Sequence, residues 1–139
     1  MSGDSFVDTN ILVYAHDLDA GDRHRRSREL VEALWESGEG MLSLQVLQEF
    51  YVTVTRKIPS PLPPARARAL IEPYLTWHVE ILPGEAVLRA SEIQERHKLS
   101  FRDAMIITAA EEAGAERLYT ENLNDGQLVE GIRIVTPLE

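Results

Sequence analysis

Short apolar runs alternate with longer stretches of helical periodicity along the whole chain, and this alternation restricts the fold more than any other feature. Runs at Ser5–Asp8, Gly40–Ser43, Val79–Leu82, Arg117–Thr120 and Ile132–Val135 read as strands. Helices are expected from Asn10, and over Asp22–Ser37, Leu44–Lys57, Pro64–Thr76, Glu85–Lys98 and Arg102–Ala113. Strands separated by helices require crossover connections, so the sheet should be parallel and covered by helices on both faces. In such sheets ligands sit outside the carboxyl ends of the strands.

The 139 residues match one ordinary domain, 1–139, and neither a repeat nor a linker-like stretch divides them. The Pro-rich segment Ile58–Pro64 reads as a rigid connection between two helices. Hydrophobic residues at 44% and charged ones at 27% give the balance of a soluble globular chain. The start, Met1-Ser2-Gly3-Asp4-Ser5, lacks a basic region followed by a long apolar stretch, and no run approaches a membrane span. The expected compartment is the cytoplasm, with no membrane partner. Without cysteine there is no disulfide, thiolate metal site or thiol nucleophile.

Fourteen basic residues against twenty-three acidic ones give a formal charge of −9, which argues against broad adhesion to nucleic acid through a basic surface. A nuclease is not excluded, because carboxylates held around divalent cations add to such an excess, and the ions reverse the local field. Basic residues group at Arg23 to Arg28, at Arg56 with Lys57 and at Arg66 with Arg68; each group reads first as a solvated helix face.

Asp8 ends the first strand and precedes Thr9, Asn10 and the apolar run Ile11-Leu12-Val13. It lies on the ligand-binding edge, where it also suits a helix cap; a cap needs one such residue, and three stand in a row. Glu49 lies off the apolar stripe of its helix, on a polar line with Gln45, Thr53 and Arg56 that faces either bulk water or a wet cleft. Asp103 closes the capping-box pattern Ser100-Phe101-Arg102-Asp103 and shares a helix face with Ile107 and Ala110. An inward carboxylate there needs a partner or a metal. Thr120 to Asn122 again ends a strand, and Asp125-Gly126 is a turn signal. Converging carboxylates suit a hard cation such as Mg²⁺, with Mn²⁺ as substitute. His16, His24, His78 and His97 show no ligand spacing and read as surface or packing residues.

The segments Phe6 to Ala15, Leu47 to Tyr51 and Leu99 to Ala104 together resemble a PIN domain, similar to the VapC toxins of bacterial toxin–antitoxin pairs, over essentially the whole chain. The resemblance implies a three-layer α/β/α sandwich around a mainly parallel sheet of four to five strands. It also implies a metal-dependent endoribonuclease with Asp8, Glu49 and Asp103 as metal-holding catalytic acids, Glu49 binding directly or through water. Thr9, Asn10 and Thr120 are the polar residues that orient them, and Arg102 is a candidate for contacting RNA. Where the family often has a Thr-x-Asp or Ser-x-Asp acid, this chain has Thr120-Glu121-Asn122, so Asn122 or Asp125 is the candidate for the last ligand position. A cognate antitoxin and a homodimer are further implications. Two other readings stay open: an inactive PIN-like module that binds RNA or protein, and a phosphatase using Asp8 as nucleophile, although Asp8-Thr9-Asn10 departs from the Asp-x-Asp-x-Thr pattern of such sites.

Overall fold

The computed structural model of the protein describes residues 4–138. The first three residues of the stretch read above for a leader, residues 1–3, lie outside the described residues.

The chain forms strands β1 (Ser5–Val7), β2 (Gly40–Ser43), β3 (His78–Glu80), β4 (Arg117–Tyr119), β5 (Leu128–Val129) and β6 (Ile132–Val135). Its helices are α1 (Thr9–His16), α2 (Asp22–Ser37), α3 (Leu44–Arg56), α4 (Pro64–Tyr74), α5 (Ala86–His97) and α6 (Phe101–Ala113), with a short 3₁₀ turn at Leu18–Ala20. The strands make one sheet in the order β3-β2-β1-β4-β6-β5, parallel except for the β5–β6 pair.

The mainly parallel α/β architecture agrees with the expected three-layer sandwich, but among the described residues the sheet has six strands and not four to five. The additional strand is the two-residue β5, too short to carry a periodicity of its own. It is held by a two-residue turn at Glu130-Gly131, both with positive φ (+50° and +81°), which is the backbone twist that a tight hairpin demands. Glu130 occupies a position that usually favours Asn, Asp or Gly.

β1 is buried along its full length, as expected of a central parallel strand covered on both faces. On its flanks α1 packs against α2 and α3, α3 packs against α4, and α5 packs against α6. α6 is buried nearly all round, through Ala104, Ile106, Ile107, Thr108, Ala109, Ala110 and Ala113. Small side chains let this helix lie close across the sheet, where it meets β2, β3, β4 and β6. Between α2, α4 and β2, the rings of Trp35, Tyr74 and Trp77 meet edge-on or tilted, with centroids 5.1 to 5.3 Å apart. Trp77 lies directly on Gly40, where a β-carbon would come within 2.6 Å of the indole. Among the described residues no helix is long and apolar enough to cross a membrane.

Glu130 gathers the carboxyl-terminal elements, accepting hydrogen bonds from Arg89 (2.8 Å), Arg96 (2.6 Å) and, at 2.7 Å, meeting His97. The bond to His97 and those from Arg96 and Arg89 outweigh desolvation and hold its carboxyl down at about 2.

His16 sits edge-on to Phe50 and Tyr74, and its Nε2 meets the Tyr74 hydroxyl at 2.7 Å. Burial first, and then the charges of His24, Arg66 and Arg28, push its imidazole down from 6.5 to about 4. The unfolded chain therefore takes up this proton more readily than the native one. The contribution of the neutral ring to stability is complete above pH 6.5 and is lost as the pH falls toward 4. The urea midpoint should fall between pH 6.5 and 5, and His16→Gln should flatten that part of the profile; an unchanged slope in the variant would assign the loss to other groups.

Candidate active site

Chain order runs outward from β1 to β2 and β3 on one side of the sheet, then returns to β4 and β6 on the other. The direction therefore reverses between β1 and β4. A crevice opens at such a switch point, beyond the carboxyl ends of the strands, because the following connections leave in opposite directions. Asp8 follows β1 and Thr120 follows β4, so both stand at this crevice. Their backbones are locked together, the Asp8 amide donating to the Tyr119 carbonyl at 2.9 Å.

Asp8 is 1% exposed, yet both of its carboxylate oxygens are satisfied. Oδ1 accepts from the Thr9 amide (2.6 Å) and from Arg102 Nη2 (2.7 Å). Oδ2 accepts from the Thr120 hydroxyl (2.8 Å) and from Arg102 Nη1 (3.1 Å). Asp8 is thus both the cap of α1 and a member of the site. The two readings of this residue do not compete, because Oδ1 accepts from the Thr9 amide and from Arg102 together, while Oδ2 takes Thr120 and the second Arg102 nitrogen.

Glu49 reaches the same place from α3, so its polar line faces the cleft. Its Oε1 accepts from the Thr9 hydroxyl and Arg102 Nη2, both at 2.6 Å, and its Oε2 from Gln45 and Arg102 Nε, both at 3.2 Å. Partial burial pushes this carboxyl up, but the hydrogen bonds from Arg102, Thr9 and Gln45, with the Arg102 charge, outweigh it and hold the group below its ordinary value.

Asp103 arrives from the first turn of α6. The Ser100 hydroxyl accepts from the Asp103 amide at 3.0 Å, which is the forward half of a capping box. The Asp103 carboxylate turns to the cleft, where Oδ1 meets Arg102 Nη1 (3.0 Å) and Asn122 Nδ2 (3.3 Å). Asn10 and Asn122 finish this edge: Asn10 Nδ2 donates to Asn122 Oδ1 at 3.0 Å, while Asn10 Oδ1 accepts from the Ile11 amide. Thr120 Oγ1 accepts from the Asn122 amide at 3.1 Å while donating to Asp8, which fixes both residues after β4.

The structure thus brings together Asp8, Thr9, Asn10, Glu49, Arg102, Asp103, Thr120 and Asn122. The two acids near Asn122 are engaged elsewhere. Asp125 accepts from the Thr136 amide at 2.8 Å. Glu121 accepts from the Tyr14 hydroxyl at 2.6 Å and pairs with Arg23 at 3.7 Å. Burial and the bond to Glu121 raise the Tyr14 phenol to about 12, so it stays a donor at neutral pH.

The feature that sequence reasoning did not foresee is the position of Arg102. Considered there as a contact for RNA, its guanidinium lies among all three carboxylates. Burial works against its charge, but the hydrogen bonds to Asp8 and Glu49 and their charges raise its pKa well above the usual value. One signal was present in the sequence: a cation in the first turn of a helix opposes the helix dipole, so something else must hold it there. Among the described residues, no three His, Asp or Glu side chains converge as a preformed metal cage; the carboxylates converge on the guanidinium. The four histidines are engaged elsewhere, with Tyr74, the Tyr14 carbonyl, Glu80 and Glu130.

A cleft of about 650 Å³ opens beside this cluster, its lining including Thr9, Asn10, Gln48, Glu49, Lys57 and Arg102. Another cavity of about 530 Å³, bordered by His16, Trp35, Leu70 and Tyr74, includes none of the three carboxylates.

Thr120 links β4 to Asp8 through a hydroxyl that is itself buried. Thr120→Val should lower the unfolding free energy by about 1–3 kcal/mol, because it removes a donor from a buried carboxylate and an acceptor from the Asn122 amide. Thr120→Ser should retain most of it. Equal urea midpoints for the valine variant and the parent would show that the hydroxyl contributes nothing.

The geometry agrees with comparisons to known proteins. The PIN domain family model matches residues 5–124. A toxin of Mycobacterium tuberculosis, VapC20, which cleaves the sarcin–ricin loop, is 25% identical over 82% of this chain and 86% of its own, with a TM-score of 0.65. A toxin–antitoxin complex from Klebsiella pneumoniae contains a chain 24% identical, covering 96% of this chain and 97% of that one, with a TM-score of 0.70. VapBC2 of Rickettsia felis, bound to promoter DNA, contributes a chain 17% identical that covers 94% and 96%, with a TM-score of 0.63. No curated protein matches the chain. With a family match that spans β1 to the residues after β4 and includes every acid in the crevice, the chain belongs to the PIN-domain family.

Proposed function

We propose that this protein is an endoribonuclease, the toxin of a toxin–antitoxin pair, which hydrolyses RNA phosphodiesters with a divalent cation held by Asp8, Asp103 and Glu49. The observation that carries this reading is the meeting of three carboxylates from three separate elements at the switch point of the sheet. The donor set fits a hard cation. It consists of carboxylate oxygens flanked by the Asn122 amide, and a guanidinium stands among them as a substitute positive charge. When bound, Mg²⁺ or Mn²⁺ supplies Lewis acidity toward water and the scissile phosphate.

The chain's own residues do the positioning. Thr9 and Thr120 hold Glu49 and Asp8 by their hydroxyls, so the carboxylates are aimed before substrate arrives. Ser100 caps the helix that carries Asp103. Glu49, with 31% of its side chain exposed, is the most accessible of the three acids and suits contact through water. Lys57 and Arg102 line the adjoining cleft; Lys57 is placed for a phosphate backbone, while Arg102 is paired with the three carboxylates. Asn122 turns its Nδ2 to Asp103 and its Oδ1 to Asn10 and lacks the charge of an acid, which favours one firmly held ion and a second that arrives with substrate phosphate.

An antitoxin partner follows from the same reading and is supported by structural relatives in toxin–antitoxin complexes. Self-pairing belongs to it as well, supported by the exposed apolar side chains of Ile81 after β3 and of Val87 and Leu88 in the first turn of α5. The cytoplasm is the compartment in which an RNA substrate would be met. A binding module without activity is the second reading, favoured by the neutral Asn122 beside Asp103. Phosphatase chemistry at Asp8 finds no support in the PIN-domain match.

Cleavage of a mixed RNA substrate in Mg²⁺ or Mn²⁺ should fall by more than about 100-fold in Asp8→Asn and Asp103→Asn, since each removes a charged ligand whose mere supporting partners are worth 10–100-fold. Full activity in either variant would sink the assignment, and RNA binding without cleavage by the parent protein would leave the binding module standing. For self-pairing, sedimentation should give twice the mass of one chain, and Leu88→Glu should shift it to that of a monomer. A parent protein that sediments as a monomer at micromolar concentration would remove the dimer.

A further inference from the structure

We propose that Arg102 is a built-in competitor for the divalent cation: its guanidinium occupies the carboxylate oxygens in the ion-free protein, and ion entry requires its departure. This rests on the metal-dependent reading above and adds to it a self-blocked resting state.

The contacts are those of a bound ligand. Arg102 donates through Nε to Glu49, through Nη1 to Asp8 and Asp103, and through Nη2 to Asp8, Thr9 and Glu49, over 2.6 to 3.2 Å. All three guanidinium nitrogens are used. A guanidinium spreads its donors over a flat fork, whereas Mg²⁺ gathers oxygens at about 2.1 Å around one point. The same oxygens cannot serve both geometries, and among the described residues no three acids lie in the second one. Charge points the same way: three carboxylates share one positive group, so the cluster keeps a formal negative excess that a divalent ion relieves more fully.

Release is sterically open. The Arg102 side chain is 32% exposed and borders the cleft of about 650 Å³, so it can leave by rotation about its own side-chain bonds. Its place in the first turn of α6 adds no attraction of its own, because the positive end of the helix dipole disfavours a cation there. The three carboxylates and the Thr9 hydroxyl hold it. Once freed, it stands in the cleft beside Lys57, placed to meet a phosphate.

The energetic consequence is that ion affinity is divided by the fraction of molecules whose carboxylates are free. An arginine bound for 90–99% of the time weakens the ion by about 10- to 100-fold. Removing it should restore that factor.

The experiment is Mg²⁺ titration of metal-free full-length protein, followed by calorimetry and by the ¹H–¹⁵N signal of Arg102 Nε. In the parent, the Nε–H should be protected from exchange without Mg²⁺ and lose that protection as the ion binds. Arg102→Met should bind Mg²⁺ at least about 10-fold more tightly. Arg102→Lys, which keeps the charge but loses the fork, should fall between them, which separates competition for oxygens from charge repulsion alone. Mg²⁺ binding with Arg102 Nε–H still protected, or equal affinities in parent and methionine variant, would overturn the competition and leave the metal reading intact. Absence of Mg²⁺ and Mn²⁺ binding in both proteins would overturn the metal reading and this proposal together.

Discussion

Three carboxylates crowded at the end of a parallel sheet repel one another and lose water, so the crevice between β1 and β4 has to supply a positive charge. Everything nearby is arranged around that requirement. Asp8, the most buried of the three, takes four hydrogen bonds on its two oxygens. Glu49 is held low by three donors against a burial effect of opposite sign. Arg102 supplies the charge, in a part of its helix where the backbone does not favour it.

The fold explains why the acids meet there. Parallel pairing of β1 with both β2 and β4 puts the loops after β1 and β4 side by side, and the Asp8–Tyr119 backbone bond fixes their separation. α6 reaches the same edge because its small, buried residues let it lie against the sheet from β2 to β6. α3 begins directly at the end of β2, capped by Ser43, so Glu49 stands less than two turns from the same edge. Each acid is placed by a backbone feature that exists for packing reasons.

Much of this was legible in the chain. The order of strands and helices followed from periodicity, and Asp8 was marked by its place between an apolar strand and an apolar helix. Asp103 was marked by a capping pattern combined with an inward face. Glu49 was not decided by its own surroundings, since a polar helical line faces a cleft or bulk water according to tertiary packing, which no local pattern encodes. Arg102 illustrates the same limit. Its neighbours in space, Asp8 and Glu49, lie 94 and 53 residues away in sequence, and only the folded sheet shows that a residue suited to a phosphate also suits the acids. β5 escaped notice because two residues carry no period and its turn uses Glu130-Gly131 where Asn-Gly would be the ordinary signal.

The hairpin at Glu130 has a consequence for how this molecule meets others. β5 forms one border of the sheet and is only two residues long, with Arg89, Arg96 and His97 drawn around the turn beside it. At the opposite border β3 is three residues long and has His78 and Glu80 tied to each other. Neither margin offers the long, flat, uncharged strand that recruits a neighbouring chain by backbone pairing. Assembly through a continuous intermolecular sheet is thereby disfavoured on both sides.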